Sequence, residues 1–239
     1  MSSTTWTPRA VASELFDCEL PLWRTVEAQH VVATRALVDT LAEQELLESL
    51  LDAAKPKVPT PCTGLDYLLY TPFRYPPVHS GSRFRAYTDP GVWYGAEQIR
   101  TCCAEIGYWR WRFVSDSRGL DRLDAVPHTI FQASAQGTAV DLRVKPFVKQ
   151  RDTWINANDY GGCQTFARTA REAGAQLIRY ESVRDPEQGG CAAVLDCKAF
   201  LGTGGVRKRQ SWFLTVDRER ASWVRAGASR GESFEFTLA

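Results

Sequence analysis

The sequence predicts a mixed α+β fold, in which a β core is flanked by helices and preceded by a helical arm. Candidate strands outnumber candidate helices, and several strands are separated by turns too short to contain a crossover helix. This pattern favours a mixed sheet over a doubly wound parallel sheet. A proline-rich segment divides the chain, so we expect an N-terminal helical arm at 1–61 and a main domain at 62–239.

The helical arm is predicted from apolar residues that recur at helical spacing between Arg24 and Ala54. Thr40 and Glu43 have the pattern of a capping box, which would divide the stretch into two helices. The segment from Lys55 to Pro61 contains three prolines and ends any helix, because proline lacks a backbone N–H. We interpret the arm as packed on the main domain. A docking surface for a partner is the alternative.

The first part of the main domain predicts four elements in order. Tyr70–Pro77 is aromatic and rich in proline, which indicates an extended chain. Residues 81–91 predict a loop, and Val92–Tyr94 a short buried strand. Ala96–Phe113 has the apolar spacing of a helix.

The C-terminal part predicts one helix and several strands. The helix runs from Cys163 to Ala173 and ends before Gly174, a favourable C-cap residue. The last strand alternates, with Phe234 and Phe236 on one face. The predicted strands are Val140–Val144, Leu177–Val183, Ala192–Cys197, Ser211–Val216 and Ser233–Leu238.

Composition and charge argue against several functional classes. The chain has 29 basic and 28 acidic residues, so its net charge of +1 gives no reason to expect a nucleic-acid partner. No stretch of 18 apolar residues predicts a membrane span, and the polar start is unlike a signal peptide, so we expect a cytoplasmic protein. Seven cysteines and three histidines without metal-binding spacing predict free, buried thiols and no metal site.

Familiar nucleotide-binding and hydrolase motifs are missing from the sequence. We find no P-loop, no nucleophile elbow and no zinc-protease motif. Gly202–Gly205 is rich in glycine but lacks the order of a dinucleotide fingerprint, so we interpret it as a turn.

An aromatic and basic cluster, Tyr108–Phe113, could stack on nucleic-acid bases. Helical spacing places Trp109 and Phe113 on one face, which favours core packing with exposed arginines. A non-catalytic module that binds RNA or protein is therefore the weaker alternative.

Three segments carry polar residues in a distinctive order: Gly81–Arg85, Pro90–Glu105 and Ile178–Pro186. The block Gly-Val-Trp-Tyr-Gly-Ala-Glu in the second segment is the most specific of these signals. Together they resemble the RES domain, a family named after an arginine, a glutamate and a serine. The resemblance covers about Asp66 to Asp196, a little over half of the chain.

The resemblance places the family's site residues at Arg83, Glu105 and Ser182, with a further active-site tyrosine at Tyr94. Tyr94 lies eleven residues after Arg83 and eleven before Glu105. The resemblance implies a fold similar to ADP-ribosyltransferases of the diphtheria-toxin kind, and a toxin of a toxin–antitoxin pair that consumes NAD⁺. It also implies an Xre-type helix-turn-helix antitoxin that blocks the pocket, in a homo-oligomer or in a hetero-oligomer with that antitoxin.

The chemistry of NAD⁺ cleavage suits these residue types. Breaking the nicotinamide–ribose bond creates an oxocarbenium-like transition state, as in glycoside hydrolysis. An arginine fork binds phosphate oxygens, which assigns the pyrophosphate to Arg83 with Arg85 in support. Tyr94 would stack on the cationic nicotinamide, and Glu105 would stabilise positive charge on the ribose. Ser182 would bond the ribose or the nicotinamide amide, or order the pocket.

The acceptor of the ADP-ribose stays open at this point. Transfer to a cellular protein is favoured slightly, because the arm could supply a surface for a protein acceptor. NAD⁺ breakdown with water or phosphate as acceptor uses the same pocket. Four further residues lie in or beside the matching blocks without an assigned role: Arg74, Tyr160, Gln164 and Arg184.

Overall fold

The computed structural model describes residues 5–28, 37–75, 81–227 and 232–238. Within these ranges, eight strands form one mixed sheet in the order β1-β2-β5-β4-β3-β6-β7-β8, which confirms the α+β prediction. Because β1 also pairs with β3, the strands β1, β2, β5, β4 and β3 form a closed ring. The strands are β1 Phe16–Glu27, β2 Trp93–Ala96, β3 Leu123–Asp141, β4 Leu177–Glu181, β5 Gly190–Val194, β6 Val206–Val216, β7 Arg220–Arg225 and β8 Ser233–Thr237.

Helices cover parts of both faces of the sheet. The longest predicted helix of the main domain is present with shifted ends. The C-terminal helix ends at Glu172, one residue before the predicted end, and Gly174 follows its C-cap with φ of +90°. The helices among the described residues are α1 Pro8–Ala12, α2 Leu41–Ala54, α3 Tyr67–Arg74, α4 Ile99–Asp116, α5 Arg151–Trp154 and α6 Gly161–Glu172.

The N-terminal segment is not helical throughout, so the helix predicted from Arg24 is wrong at its start. Arg24 belongs to β1, which pairs antiparallel with β3 along its whole length, and this pairing overrides the local helical spacing. Residues 29–36 lie outside the described residues. The helix begins at Leu41, and the capping box of Thr40 and Glu43 is confirmed.

The apolar stripe of α2 does not pack on the main domain as we interpreted it. Leu41, Leu46 and Leu50 are each at least 60% exposed. The division of the chain at residue 61 stays a prediction, although β1 shows that the N-terminal segment supplies a strand to the sheet.

The segment around Pro72 forms helix α3, so the extended chain predicted for Tyr70–Pro77 is wrong over Tyr70–Arg74. Proline normally breaks a helix because it cannot donate to the carbonyl four residues earlier. Here the indole Nε1 of Trp93 donates to that carbonyl, on Leu68, at 3.2 Å. The tertiary contact therefore replaces the hydrogen bond that Pro72 cannot make.

Most of β3 and all of β7 were missed by the sequence analysis. Only the end of β3 was predicted, because Pro127 and Gly137 interrupt the strand pattern. The strand is held by neighbours on both edges, β1 on one side and β6 and β4 on the other. Its extended conformation thus depends on pairing that local sequence does not show.

Apolar clusters lie on both faces of the sheet, and strand alternation assigns each residue to its face. Trp93 and Phe131 belong to a cluster on one face. Tyr94 packs against the cluster on the opposite face, with Phe84 and Tyr180. A third cluster, around the buried Trp212 and Trp223, lies under α4.

Two cysteines correct the prediction that all seven thiols are free. Cys62 and Cys197 form a disulfide with their Cα atoms 5.7 Å apart. They lie on two 3-10 turns, Thr60–Cys62 and Cys197–Phe200, that contact each other. The remaining cysteines are free, and all are buried except the partly exposed Cys18: Cys18, Cys102, Cys103, Cys163 and Cys191.

Candidate active site

One cavity of about 230 Å³ lies between α4 and the strands of the ring. Arg83, Tyr94 and Glu105 all line it, so the structure brings together three of the four residues that the resemblance singled out. Further lining residues come from β1, from α4 and from three loops: Arg24, Ser82, Cys102, Ile106, Trp109, Tyr160 and Arg184.

Arg83 is held almost buried, at 9% exposure, by the loop that follows α5. Its Nη1 donates to the carbonyl oxygens of Trp154 and Asn156, each at 2.9 Å. Its guanidinium also lies 4.7 Å from the ring centroid of Tyr160. A guanidinium has five N–H donors, so donors are left for an anion after both carbonyl contacts.

Tyr94 is fixed through its hydroxyl to the loop that carries Arg83. The Tyr94 hydroxyl accepts from the backbone N–H of Phe84 at 2.9 Å and shares a hydrogen bond with Ser82 Oγ at 2.8 Å. Burial raises the pKa of the Tyr94 phenol to about 12. The phenol is therefore neutral at physiological pH, and its ring is available for stacking.

Replacing Tyr94 with phenylalanine is expected to destabilise the protein by about 1–3 kcal/mol at neutral pH, because the Phe84 N–H loses its acceptor. The difference in free energy of unfolding between the two proteins should narrow as pH rises from about 10 toward 12. In that window Tyr94 ionises in the unfolded state, at a pKa of about 10, whereas burial resists its ionisation in the folded state. Ionisation therefore lowers the free energy of unfolding of wild type, and the phenylalanine variant has no group there to ionise. Urea unfolding at several pH values measures both effects. A difference in free energy of unfolding that does not change with pH would contradict the raised pKa of Tyr94.

Glu105 reaches the cavity from α4, with Cys102, Ile106 and Trp109 on the same face of the helix. Ser182 Oγ donates to Glu105 Oε1 at 2.6 Å. Ser182 is 2% exposed and does not line the cavity itself. Of the roles predicted for Ser182, this position favours ordering the pocket, because the Ser182 hydroxyl orients the carboxylate of Glu105.

The backbone around Ser182 fixes its hydroxyl. Ser182 Oγ accepts from the backbone N–H groups of Arg184 at 3.3 Å and Asp185 at 3.0 Å. A hydroxyl that accepts from the following backbone must direct its own proton elsewhere, here to Glu105.

Arg85 does not line the cavity, in contrast to its predicted support of the pyrophosphate. Its guanidinium donates to the carbonyl oxygens of Tyr75 at 2.9 Å and Asp89 at 3.3 Å. Arg85 follows Arg83 by two residues, but the chain turns between them. The Arg85 guanidinium therefore contacts backbone carbonyls, whereas Arg83 lines the cavity.

The four residues without a predicted role separate into two groups. Tyr160 and Arg184 line the cavity. Gln164 lies behind it, where its Nε2 donates to the carbonyl of Ser82 at 3.0 Å and so supports the loop of Arg83. Arg74 donates to the carbonyl of Pro56, away from the cavity.

Arg24 is a cavity residue that the sequence analysis missed. Its Nη1 donates to the carbonyl of Tyr94 at 2.7 Å, and its guanidinium lies 5.2 Å from the ring centroid of Trp93. Its Nε has no hydrogen-bond acceptor among the described residues. Burial lowers its pKa to about 10, so it stays charged at neutral pH. Alternating apolar residues in β1 were the signal that could have placed it on a strand.

Trp109 and Phe113 of the aromatic cluster on α4 do not pack in the core as predicted, whereas Trp111 packs partly buried against the third cluster. Trp109 is 49% exposed and Phe113 is 52% exposed. The helix instead buries small residues: Gly107 lies against Ala221, and the indole Nε1 of Trp223 donates to the carbonyl of Cys103 at 3.1 Å. Small side chains thus make the closest contacts between the helix and the sheet, and Trp109 and Phe113 stay exposed.

A family model for the RES domain matches residues 58–217, which is more than half of the chain. The chain belongs to the RES-domain family. Arg83, Tyr94, Glu105 and Ser182 lie inside the matched range, whereas Arg24 lies outside it.

The fold of this RES-domain protein is similar to that of a chain in the crystal structure of the M. tuberculosis MbcT–MbcA toxin–antitoxin complex. The TM-score is 0.51 with 13% sequence identity, over 87% of this chain and 91% of that chain. At this identity the likeness shows the fold alone. No curated protein matches the chain. Among the described residues, no helix has the length and apolarity needed to cross a bilayer.

The RES-domain cavity carries both signs of charge. Three arginines, Arg24, Arg83 and Arg184, and one carboxylate, Glu105, line it. Such a set suits a ligand that carries an anionic group and develops positive charge during a reaction.

Proposed function

We propose that this RES-domain protein is a toxin that consumes NAD⁺ and transfers ADP-ribose from it to a cellular protein. The observation that carries the proposal is the convergence of Arg83, Tyr94 and Glu105 on one cavity, with Ser182 bonded to Glu105. A guanidinium, an aromatic ring and a carboxylate are the groups needed to hold a pyrophosphate, a nicotinamide and a developing ribose cation.

The nicotinamide–ribose end of NAD⁺ would occupy the cavity. The ring of Tyr94 offers a face to the cationic nicotinamide, and its neutral phenol keeps that face in place through Phe84 and Ser82. Glu105 would bond the ribose and stabilise the oxocarbenium-like cation as nicotinamide leaves, because a fixed negative charge is most effective where positive charge develops. Ser182 holds that carboxylate in one orientation.

The acceptor separates the main proposal from its alternative. Incubating the protein with NAD⁺ labelled in the ADP-ribose part, together with a cell lysate, tests both. A labelled protein band supports transfer to a protein. Free ADP-ribose, or its phosphate in phosphate buffer, supports the alternative, a glycohydrolase or phosphorylase that depletes NAD⁺. If NAD⁺ stays intact in every one of these reactions, both the transfer proposal and its alternative are overturned.

Growth of a bacterial host provides the matching test in cells. Expression of wild type should arrest growth and lower the NAD⁺ pool or modify a target, and Glu105→Ala should relieve the arrest. If both proteins are equally harmless and the NAD⁺ pool is unchanged, the proposal of an NAD⁺-consuming enzyme is rejected. The alternative is then a non-catalytic binding module.

The proposal includes a partner, an Xre-type helix-turn-helix antitoxin that covers the cavity in a cytoplasmic hetero-oligomer. The fold likeness to a chain of a toxin–antitoxin complex supports it. Co-expression with such an antitoxin should restore growth and protect Trp109, which is 49% exposed, from solvent. A co-purified complex that leaves NAD⁺ turnover unaffected would contradict a blocked pocket.

A further inference from the structure

The cavity is too small for a whole dinucleotide. Its volume of about 230 Å³ lies below the ~300–1,000 Å³ of pockets that enclose drug-sized ligands. If the nicotinamide–ribose end occupies it, as the proposed function requires, the adenylate half must lie outside, along the rim. The residues of that rim therefore decide whether the protein recognises a dinucleotide or only its nicotinamide end.

Arg184 lies at this rim in a preformed position. Its Nη2 donates to the carbonyl of Ala157 at 2.6 Å, and its guanidinium lies 3.6 Å from the ring centroid of Tyr108. Ala157 belongs to the same short segment as Trp154 and Asn156, whose carbonyl oxygens accept hydrogen bonds from Arg83. Two guanidiniums fixed by one loop provide two positive charges for the two phosphates of a pyrophosphate.

Trp109 adjoins Arg184 and continues the rim outward. Its ring centroid lies 5.9 Å from the Arg184 guanidinium carbon, and it lines the cavity while 49% of it is exposed. An indole that is open to solvent beside a cationic cluster is suited to stacking by a nucleobase. Phe113, one helical turn further along α4, is similarly exposed but does not line the cavity.

We propose that Trp109 and Arg184 form the subsite for the adenosine diphosphate part of the substrate, with adenine stacked on Trp109 and the pyrophosphate between Arg83 and Arg184. This inference rests on the proposed function for the identity of the substrate. It replaces Arg85, which the structure places away from the cavity, with Arg184 as the second phosphate-binding arginine.

The opposite direction is less suitable for the adenylate half. A second cavity, of about 440 Å³, lies next to the first. Among the described residues, the two cavities share one lining residue, Arg24. The Arg24 side chain is itself fixed between them by the carbonyl of Tyr94 and the ring of Trp93. A dinucleotide passing that way would have to displace a charged group from both contacts.

Calorimetric titration separates the two halves of the substrate. ADP reports on the proposed subsite, and nicotinamide mononucleotide reports on the inner cavity. Trp109→Ala should raise the Kd for ADP roughly fivefold or more, the lower end of base stacking, and leave the Kd for nicotinamide mononucleotide within about twofold. Phe113→Ala, the matched control, should change neither value.

Arg184→Ala should raise the Kd for ADP by roughly tenfold or more, as expected for loss of a hydrogen bond to a charged group. Arg112→Ala is its control, since Arg112 pairs with Asp116 on α4 and does not line the cavity. Because Arg184 also supports the loop, Arg184→Lys serves as a second variant that keeps the charge and should fall between wild type and alanine.

The inference is overturned if wild type does not bind ADP, if Trp109→Ala leaves the Kd for ADP unchanged, or if it weakens both ligands equally. Turnover of NAD⁺ is measured separately. A protein that binds ADP through Trp109 but never cleaves NAD⁺ would contradict the proposed function and leave the subsite standing. A protein that cleaves NAD⁺ and is indifferent to Trp109 would overturn the subsite alone.

Discussion

Replacing Glu105 with glutamine is expected to lower kcat for NAD⁺ consumption about a hundred- to a thousandfold. Glutamine keeps the size of the side chain but removes the negative charge that would stabilise the ribose cation. It can still accept the hydrogen bond from Ser182, so the fold should be retained. Chromatographic measurement of nicotinamide release gives kcat directly, and KM should change less than kcat.

Glu172→Gln is the matched control for this experiment, since Glu172 is an exposed residue near the end of α6, outside the cavity. It should keep wild-type kcat. A Glu105→Gln protein that retains more than about a tenth of wild-type kcat would show that the carboxylate does not stabilise the transition state.

Replacing Arg83 with lysine is expected to raise KM for NAD⁺ by roughly tenfold or more, even though the positive charge is kept. Lysine carries its donors on a single atom and lacks the planar fork. It cannot contact the carbonyls of Trp154 and Asn156 and also hold a phosphate in a bidentate way. Initial rates across a range of NAD⁺ concentrations measure the effect.

Arg112→Lys provides the comparison, because it makes the same chemical change at an exposed arginine of α4. Its KM should equal that of wild type. Equal KM values for wild type and Arg83→Lys would mean that Arg83 acts only as a point charge or only supports the loop.

Local sequence patterns predicted the elements that carry most of the candidate site. The loop at 81–91, the strand at Tyr94 and the helix around Glu105 follow from turn residues, β-propensity and helical spacing. These signals lie within short windows. The resemblance to the RES domain then implied that Arg83, Tyr94 and Glu105 act together.

Arg24 was missed because its environment depends on distant residues. Its strand is specified by pairing with β3, in which Arg24 lies opposite Phe131 more than a hundred residues later. The residues after Arg24 have helical spacing and those before it alternate as in a strand, so the local pattern is ambiguous and the long-range pairing decides for the strand. The same reasoning explains why most of β3 was missed.

Arg85 and Trp109 show a second reason why sequence reasoning failed. Proximity in sequence suggested that Arg85 would assist Arg83, but the turn at 81–85 directs it to backbone carbonyls outside the cavity. Hydrophobicity suggested that Trp109 would be buried, but the close contact of Gly107 with Ala221 gives the buried face of α4 to small residues. Side-chain direction was the missing information in both cases.

A crystal structure of the Glu105→Gln protein soaked with NAD⁺ tests the proposed binding mode most directly. We expect density for the nicotinamide ring on Tyr94, the ribose beside residue 105 and the pyrophosphate at Arg83. NAD⁺ bound at another surface, or bound with its nicotinamide end outside this cavity, would contradict this binding mode.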